Sequence, residues 1–163
     1  MKIYINSKEF KHIGAIHIAT FEDKVVFLTL EKSKIYEYFK NDKVSLIEDP
    51  SSCVHPLQEL AGYLDGKINA FTCETKFLKG TEFQKRVWNE LKTIPYGQTI
   101  SYAQLASRIG NDKACRAVGT ANSKNPVPII VPCHRVINAN GNLGGFALGI
   151  GVKKYLLDLE KSF

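Results

Sequence analysis

Cys133 stands between Pro132 and His134-Arg135 in the run Ile130 to Ile137, IVPCHRVI. A cysteine reacts as its thiolate, and the thiol pKa falls near cationic or hydrogen-bonding partners. His134 and Arg135 are placed to supply such a field, and imidazole is the usual acceptor of a thiol proton near neutral pH. The imidazolium that results calls for a carboxylate. Glu160 lies four residues after Leu156 and borders the apolar stripe of the last helix, so it is the candidate. An isolated Cys-His pair more often marks a buried structural cysteine than a nucleophile. Cys53, Cys73 and Cys115 read as structural on that ground, with Cys115 made the more reactive by its neighbour Arg116.

The elements that must position this pair are helical. Thr81 opens a helix that carries Phe83, Val87, Trp88 and Leu91 on one stripe. Pro95-Tyr96-Gly97 is a turn. Ser101 caps a helix with Tyr102, Leu105, Ala106 and Ile109, and Gly110 stops it. Asn111 or Asp112 then caps a helix running to about Ser123. Residues 125–132, NPVPIIVP, hold three prolines in eight positions and predict a stiff, extended segment. Asn140-Gly141 predicts a tight turn. Val152 to Leu159 predicts a last helix with Val152, Tyr155, Leu156 and Leu159 on its inner face.

Residues 101–109 and 112–123 have the lengths and connection of a helix-turn-helix, though an ordinary packed helix pair has the same pattern. Two features favour DNA. The second helix is slender, with Ala114, Ala117, Gly119, Thr120 and Ala121 all small, which suits close approach to a narrow groove. Arg116 is its long cation. The charge is also one-sided: residues 1–80 carry 11 Lys/Arg and 11 Asp/Glu, whereas residues 81–163 carry 11 and 5 and hold the whole excess of +6. A basic surplus confined to one half suggests a polyanionic partner for that half.

The first half reads as mixed α/β. Ile13 to Thr20 and Lys24 to Leu30 form a hairpin around Glu22-Asp23. Lys32 to Lys40 is a short helix with Ile35, Tyr36 and Phe39 on one face. Pro56 to Leu64 is another, carrying Leu57, Leu60, Ala61 and Leu64 and ended by Asp65-Gly66. Ala70 to Phe77 suits a strand. The boundary falls at Lys79-Gly80, so the expected domains are residues 1–79 and 80–163. The N-terminal run MKIYINSKEF lacks the apolar core of a signal peptide, and no stretch approaches the ~20 apolar residues of a membrane span. Four cysteines in 163 residues do not form a disulfide framework. A reduced, cytoplasmic protein (nuclear in a eukaryote), acting as a monomer without membrane contact, is the expectation.

The segments GTEFQKRVWNELKTIPYG, ISYAQLA, CRAVGTANSKNP, NPVPIIVPCHRVI, GNLGGF and VKKYLLDLE follow one another from Gly80 to Glu160. Their order and spacing closely resemble the methylated-DNA–protein-cysteine methyltransferases, also called 6-O-alkylguanine-DNA alkyltransferases. The first 79 residues resemble the family more weakly, and fit the small ribonuclease-H-like α/β domain that many members carry. The implied fold is that domain followed by a mainly α domain with a helix-turn-helix. The implied activity is direct reversal of DNA damage. The alkyl group of 6-O-alkylguanine in double-stranded DNA passes irreversibly to the protein's own cysteine, once per molecule and without a cofactor. Alkylated thymine is left open as a second substrate.

Residue by residue, the resemblance makes Cys133 the alkyl acceptor, His134 the histidine that takes its proton through an ordered water, and Glu160 the carboxylate that orients it. Asn125 matches the residue bracing the turn before the active-site loop. Tyr102 matches a contact to the flipped nucleotide and its phosphate, and Arg116 the side chain that fills the vacated stack. Backbone groups of Cys133 and Val136 are expected to read the guanine amino group. The Gly144 amide is expected near the 6-oxygen and Pro128 along the alkyl pocket, with Gly145 and Arg135 among the substrate and DNA contacts. Some members hold zinc in the first domain. Cys53, His55, Cys73, His12 and His17 fit no standard ligand spacing, so no metal is expected.

Three other classes are weighed. A lesion-binding relative without chemistry would lack the acceptor, and Cys133 argues against it. A helix-turn-helix regulator would bring an additional domain. A thiol hydrolase rarely has its Cys and His adjacent in sequence.

Overall fold

The computed structural model describes residues 1–161. The chain divides into two compact units, Met1–Leu78 and Lys79–Phe163.

In the first unit, β1 (Lys2–Phe10), β2 (Gly14–Phe21) and β3 (Lys24–Thr29) form an antiparallel meander, and β4 (Ser45–Glu48) adds parallel to β1, giving the order β3-β2-β1-β4. α1 (Ser33–Phe39) bridges β3 to β4, because a parallel partner needs a crossover. α2 (Val54–Leu64) follows. Glu22 and Asp23 both sit at left-handed φ, 51° and 61°, which gives the β2–β3 connection the twist a two-residue hairpin requires. Ile3 and Ile5 of β1 and Ala19 and Val26 of the hairpin pack on Ile35 and Phe39 of α1.

The hairpin and both helices agree with the sequence pattern, but other details do not. β1 and β4 escaped it: in β1 only Ile3 and Ile5 alternate, Phe10 falls out of phase with them, and Lys2, Lys8 and Glu9 add charge. Tyr36, expected on the inner face of α1, is exposed and donates its hydroxyl to Glu48 at 2.6 Å. Residues 70–77 form no strand, and pair with the sheet at an isolated bridge, Val25 to Thr75, flanked by a Lys24–Glu74 ion pair. The Glu59 carboxylate takes the backbone N–H groups of Thr72 (2.6 Å) and Cys73 (2.8 Å), which a ladder would otherwise need.

The second unit contains α3 (Glu82–Leu91), α4 (Tyr102–Arg108), α5 (Cys115–Ser123) and α6 (Ile150–Lys161). A short parallel pair, β5 (Ile100–Ser101) and β6 (Val136–Ile137), joins the start of α4 to the residues after Cys133. Thr81 and Ser101 each close a capping box, with Gln84 and Gln104 respectively, so both helix starts are set by local sequence. Val87, Trp88, Leu91, Leu105, Val118 and Leu156 form the buried interior. Trp88 donates its indole N–H to the Ala121 carbonyl at 2.8 Å, fastening α3 to α5.

α5 starts later than expected. Ala114, not Asn111 or Asp112, is its N-cap, and no side chain caps it. The Asn111 carbonyl accepts from Ala114 N–H at 3.0 Å, so residues 111–114 form a turn. The buried face of α6 is also rotated from the expected one. Lys153, Leu156, Leu157 and Glu160 are buried, whereas Val152, Tyr155 and Leu159 are half-buried. Polar Lys153 and Glu160 face inward because each finds partners there.

Candidate active site

Residues 125–132 are wound rather than extended. Asn125 donates its amide to the Val131 carbonyl (2.9 Å) and accepts from Val127 N–H (3.0 Å), while Val131 N–H reaches back to the Val127 carbonyl at 2.9 Å. One buried side chain thus ties both ends of the turn. Ile129 inside it adopts φ +74°, a strained conformation for a β-branched residue that persists only where surroundings impose it. Pro128 is buried here and bridges to Val131.

The wound turn delivers Cys133 at the head of a single 3-10 turn, Cys133–Arg135. Cys133 is only 1% exposed. Burial pushes its pKa up to about 11, against smaller downward pulls from a hydrogen bond with Asn125 and the charge of Lys153. The field expected from His134 and Arg135 therefore does not hold Cys133 as a resting thiolate, because exclusion of water outweighs it. The thiolate must form as the proton leaves.

His134 is fully buried beside it, and its Nε2 lies 3.1 Å from Glu160 Oε1. Burial lowers the imidazole's pKa, and Glu160 only partly opposes that shift. A neutral imidazole is the form that can accept a proton, and with Nε2 held by Glu160 that task falls to Nδ1. Burial would raise the Glu160 carboxyl, but hydrogen bonds from His134 and Arg135 prevail and hold it down at about 2.

Arg135, expected among the substrate and DNA contacts, is instead buried. Its Nε donates to Glu160 at 2.9 Å, and its Nη1 to the Ile94 carbonyl at 2.7 Å. A guanidinium enclosed this way must be paired, and Glu160 from α6 is the charge that pairs it. Glu160 therefore anchors two partners, the Arg135 guanidinium and the His134 imidazole, of which the sequence pattern indicated the second.

Sequence reasoning missed two further residues. Lys153 is buried on α6, and its ammonium donates to the carbonyls of Val136 (2.6 Å) and Gly145 (3.2 Å). It thereby ties the segment after Cys133 to the glycine-rich stretch, and burial lowers its pKa to about 8. Asn122 of α5 donates to the Cys133 carbonyl at 3.4 Å. Nothing in the periodicity of either helix separates these residues from solvent-facing ones.

Beside the loop lies a cleft of about 290 Å³ lined by Tyr102, Cys115, Arg116, Gly119, Asn122 and Gly145, among others. Tyr102 and Arg116, from different helices, thus meet at one opening. Gly144 has φ +72°, a conformation that favours glycine, and a Cβ there would press on the Tyr102 hydroxyl at 3.1 Å. Of the residues named from sequence, Cys133, His134, Glu160 and Asn125 form one buried cluster. Tyr102, Arg116 and Gly145 line the cleft. Val136 lies beneath, its carbonyl held by Lys153. In the first unit, His55 pairs with Glu59 at 2.6 Å. Among the described residues, no three His, Cys, Asp or Glu side chains are placed to hold a metal ion.

The chemistry open to this arrangement is attack by a buried, transiently ionised thiol on an electrophile presented through the adjacent cleft. Residues 82–162 match the family described as 6-O-methylguanine DNA methyltransferase, DNA binding domain. The methylated-DNA–protein-cysteine methyltransferase of Methanosarcina acetivorans is 45% identical over 152 residues, which cover 92% of this chain and 94% of that protein. The crystal structure of Mycobacterium tuberculosis OGT in complex with DNA superposes with a TM-score of 0.85 at 39% identity, covering 98% of this chain and 93% of that one. The O6-methylguanine-DNA methyltransferase of the hyperthermophilic archaeon Pyrococcus kodakaraensis gives 0.75 at 27% identity, covering 97% and 98%. This chain belongs to the methylated-DNA–protein-cysteine methyltransferase family.

Proposed function

We propose that this protein repairs DNA by direct reversal, moving the alkyl group of 6-O-alkylguanine onto Cys133. The carrying observation is the buried cluster of Cys133, His134, Glu160 and Asn125 beside a cleft lined by Tyr102 and Arg116. The thiol yields its proton to His134, and Glu160 stabilises the imidazolium. The sulfur attacks the alkyl carbon, a C–S bond forms, and the C–O bond breaks with its electron pair leaving on guanine. A proton returned to that anion balances the step. The product is a thioether that no group here can hydrolyse, so each molecule acts once.

Double-stranded DNA is the partner that suits the cleft. The damaged oxygen lies inside the duplex, so the nucleotide must leave the stack, which costs a few kcal/mol. α4 and α5 act as the helix-turn-helix. α5 presents Arg116, Gly119 and Thr120 outward, a narrow face with one long cation to fill the vacated stack. The strand order β3-β2-β1-β4, with one parallel edge, supports a ribonuclease-H-like reading of the first unit. The protein acts as a monomer in the cytoplasm, or in the nucleus of a eukaryote, where thiols stay reduced.

The test is mass mapping after incubation with duplex DNA containing 6-O-methylguanine. The peptide holding Cys133 gains one methylene, the end point is one methyl per chain, and C133S abolishes transfer while retaining DNA binding. Label on Cys53, Cys73 or Cys115, or repeated turnover, overturns the proposal.

A further inference from the structure

His134 has no exposed surface. The Phe146 ring meets it edge to face, with ring centroids 6.2 Å apart and planes at 76°. Phe146 is itself half-buried, so one ring touches both solvent and the imidazole. It stands in the glycine-rich segment after β6, between Gly144 at φ +72° and Gly149 at φ +97°. Among the described residues, positions 143–148 receive a single hydrogen bond from elsewhere in the chain, from the Lys153 ammonium to the Gly145 carbonyl at 3.2 Å. That bond fixes the residue before Phe146. Lys153 and Glu160 are both buried on α6, about two helical turns apart on one face. Lys153 holds the backbone that presents the ring, and Glu160 holds the imidazole at 3.1 Å. One helix thus sets both partners of the contact.

The charged and titratable groups around His134 are Glu160 and Lys153 from α6, and Cys133 and Arg135 from its own turn. Burial lowers the imidazole's pKa, Glu160 opposes that, and Arg135 and Lys153 add to the lowering. Phe146 brings no charge and no hydrogen bond, only the exclusion of water. We infer that Phe146 is a positioning residue for the transfer: its ring covers the His134 imidazole and keeps water from it. This rests on the alkyl-transfer reading, in which His134 takes the thiol proton. Water at the imidazole would stabilise its charged form, and a histidine already protonated cannot accept that proton. The cover therefore extends transfer to lower pH.

The experiment measures the second-order rate constant for methyl transfer from duplex DNA holding 6-O-methylguanine, at pH 6 and at pH 8, in wild type, F146A and F146L. A ratio taken within one protein cancels any loss of folded material. F146A is expected to lower the ratio of the pH 6 rate to the pH 8 rate by about threefold or more, because an opened imidazole titrates nearer its ordinary range. F146L, which keeps a cover of apolar carbon, stays within about twofold of wild type. Titration of the His134 ring followed by NMR makes the same comparison without substrate, and its midpoint rises in F146A but not in F146L. A ratio and a midpoint in F146A equal to those of wild type overturn the inference, as does an equal change in both variants. Failure of wild type to transfer methyl would remove the alkyl-transfer reading alone. The NMR midpoints would still decide whether Phe146 keeps water from His134.

Discussion

Arg135 grips the carboxylate of Glu160 through its Nε, 2.9 Å from one oxygen and 3.1 Å from the other, in an interior that admits almost no water. The same carboxylate supports His134. One acidic residue on α6 thus serves a structural ion pair and a proton acceptor at once, and the loop holding Cys133 is fastened to α6 through both.

Removing one member of this pair strands the other. R135L is expected to destabilise the protein by about 3–5 kcal/mol in urea unfolding, the usual cost of an uncompensated buried charge. The double variant R135L/E160L should recover a good part of that loss, because no lone charge remains. Simple addition of the two single effects would show that the residues are not coupled.

The pair also sets a pH dependence. The folded-state pKa of Glu160 is held near 2, below its ordinary 4.5. Its contribution is therefore fully present above about pH 4.5 and is lost as pH falls toward 2, by ~1.4 kcal/mol per unit while the unfolded chain alone binds the proton. His134, whose pKa burial lowers, acts in the same direction, with its loss beginning below its ordinary 6.5. E160Q should flatten the unfolding free energy between pH 4.5 and 2 relative to wild type. Parallel curves for the two proteins would contradict this account of Glu160.

Cys133 is almost fully enclosed, so the transferred alkyl group must enter packed space. Methylated protein should be less stable than fresh protein by ~1–3 kcal/mol, as expected for overpacking, and benzylated protein less stable still. The urea midpoints before and after stoichiometric reaction measure this directly. Identical midpoints would mean that the acceptor opens to solvent once modified.

Arg116 lies exposed on α5 at the mouth of the cleft. R116A should slow transfer from duplex DNA by about tenfold or more, because base extrusion costs a few kcal/mol that an inserted side chain partly offsets. Reaction with free 6-O-methylguanine base, which needs no extrusion, should change by less than about twofold. Equal losses on both substrates would rule out a wedge.

Much of this could be read from the chain alone, where the determinants are local. The starts of α3 and α4 follow from Thr81 with Gln84 and Ser101 with Gln104, pairs three residues apart whose bonding needs no tertiary contact. The adjacency of Cys133 and His134 is written in the sequence. The apolar stripe of α6 brought Glu160 within reach of the argument, although the face that is buried differs from the one expected. What only the tertiary structure decided depends on water and on distance. The thiol's raised pKa comes from its burial, which no neighbour in sequence reveals. Arg135 beside a reactive cysteine reads as a surface cation until Glu160 and the Ile94 carbonyl close around it. The three prolines of residues 125–132 predicted an extended segment. The two bonds of the Asn125 side chain instead fold it into a turn that forces Ile129 to positive φ. Lys153 and Asn122 are polar residues in helices, and sequence assigns such residues to solvent. Carbonyls from distant segments turn Lys153 inward, and the Cys133 carbonyl does the same for the amide of Asn122.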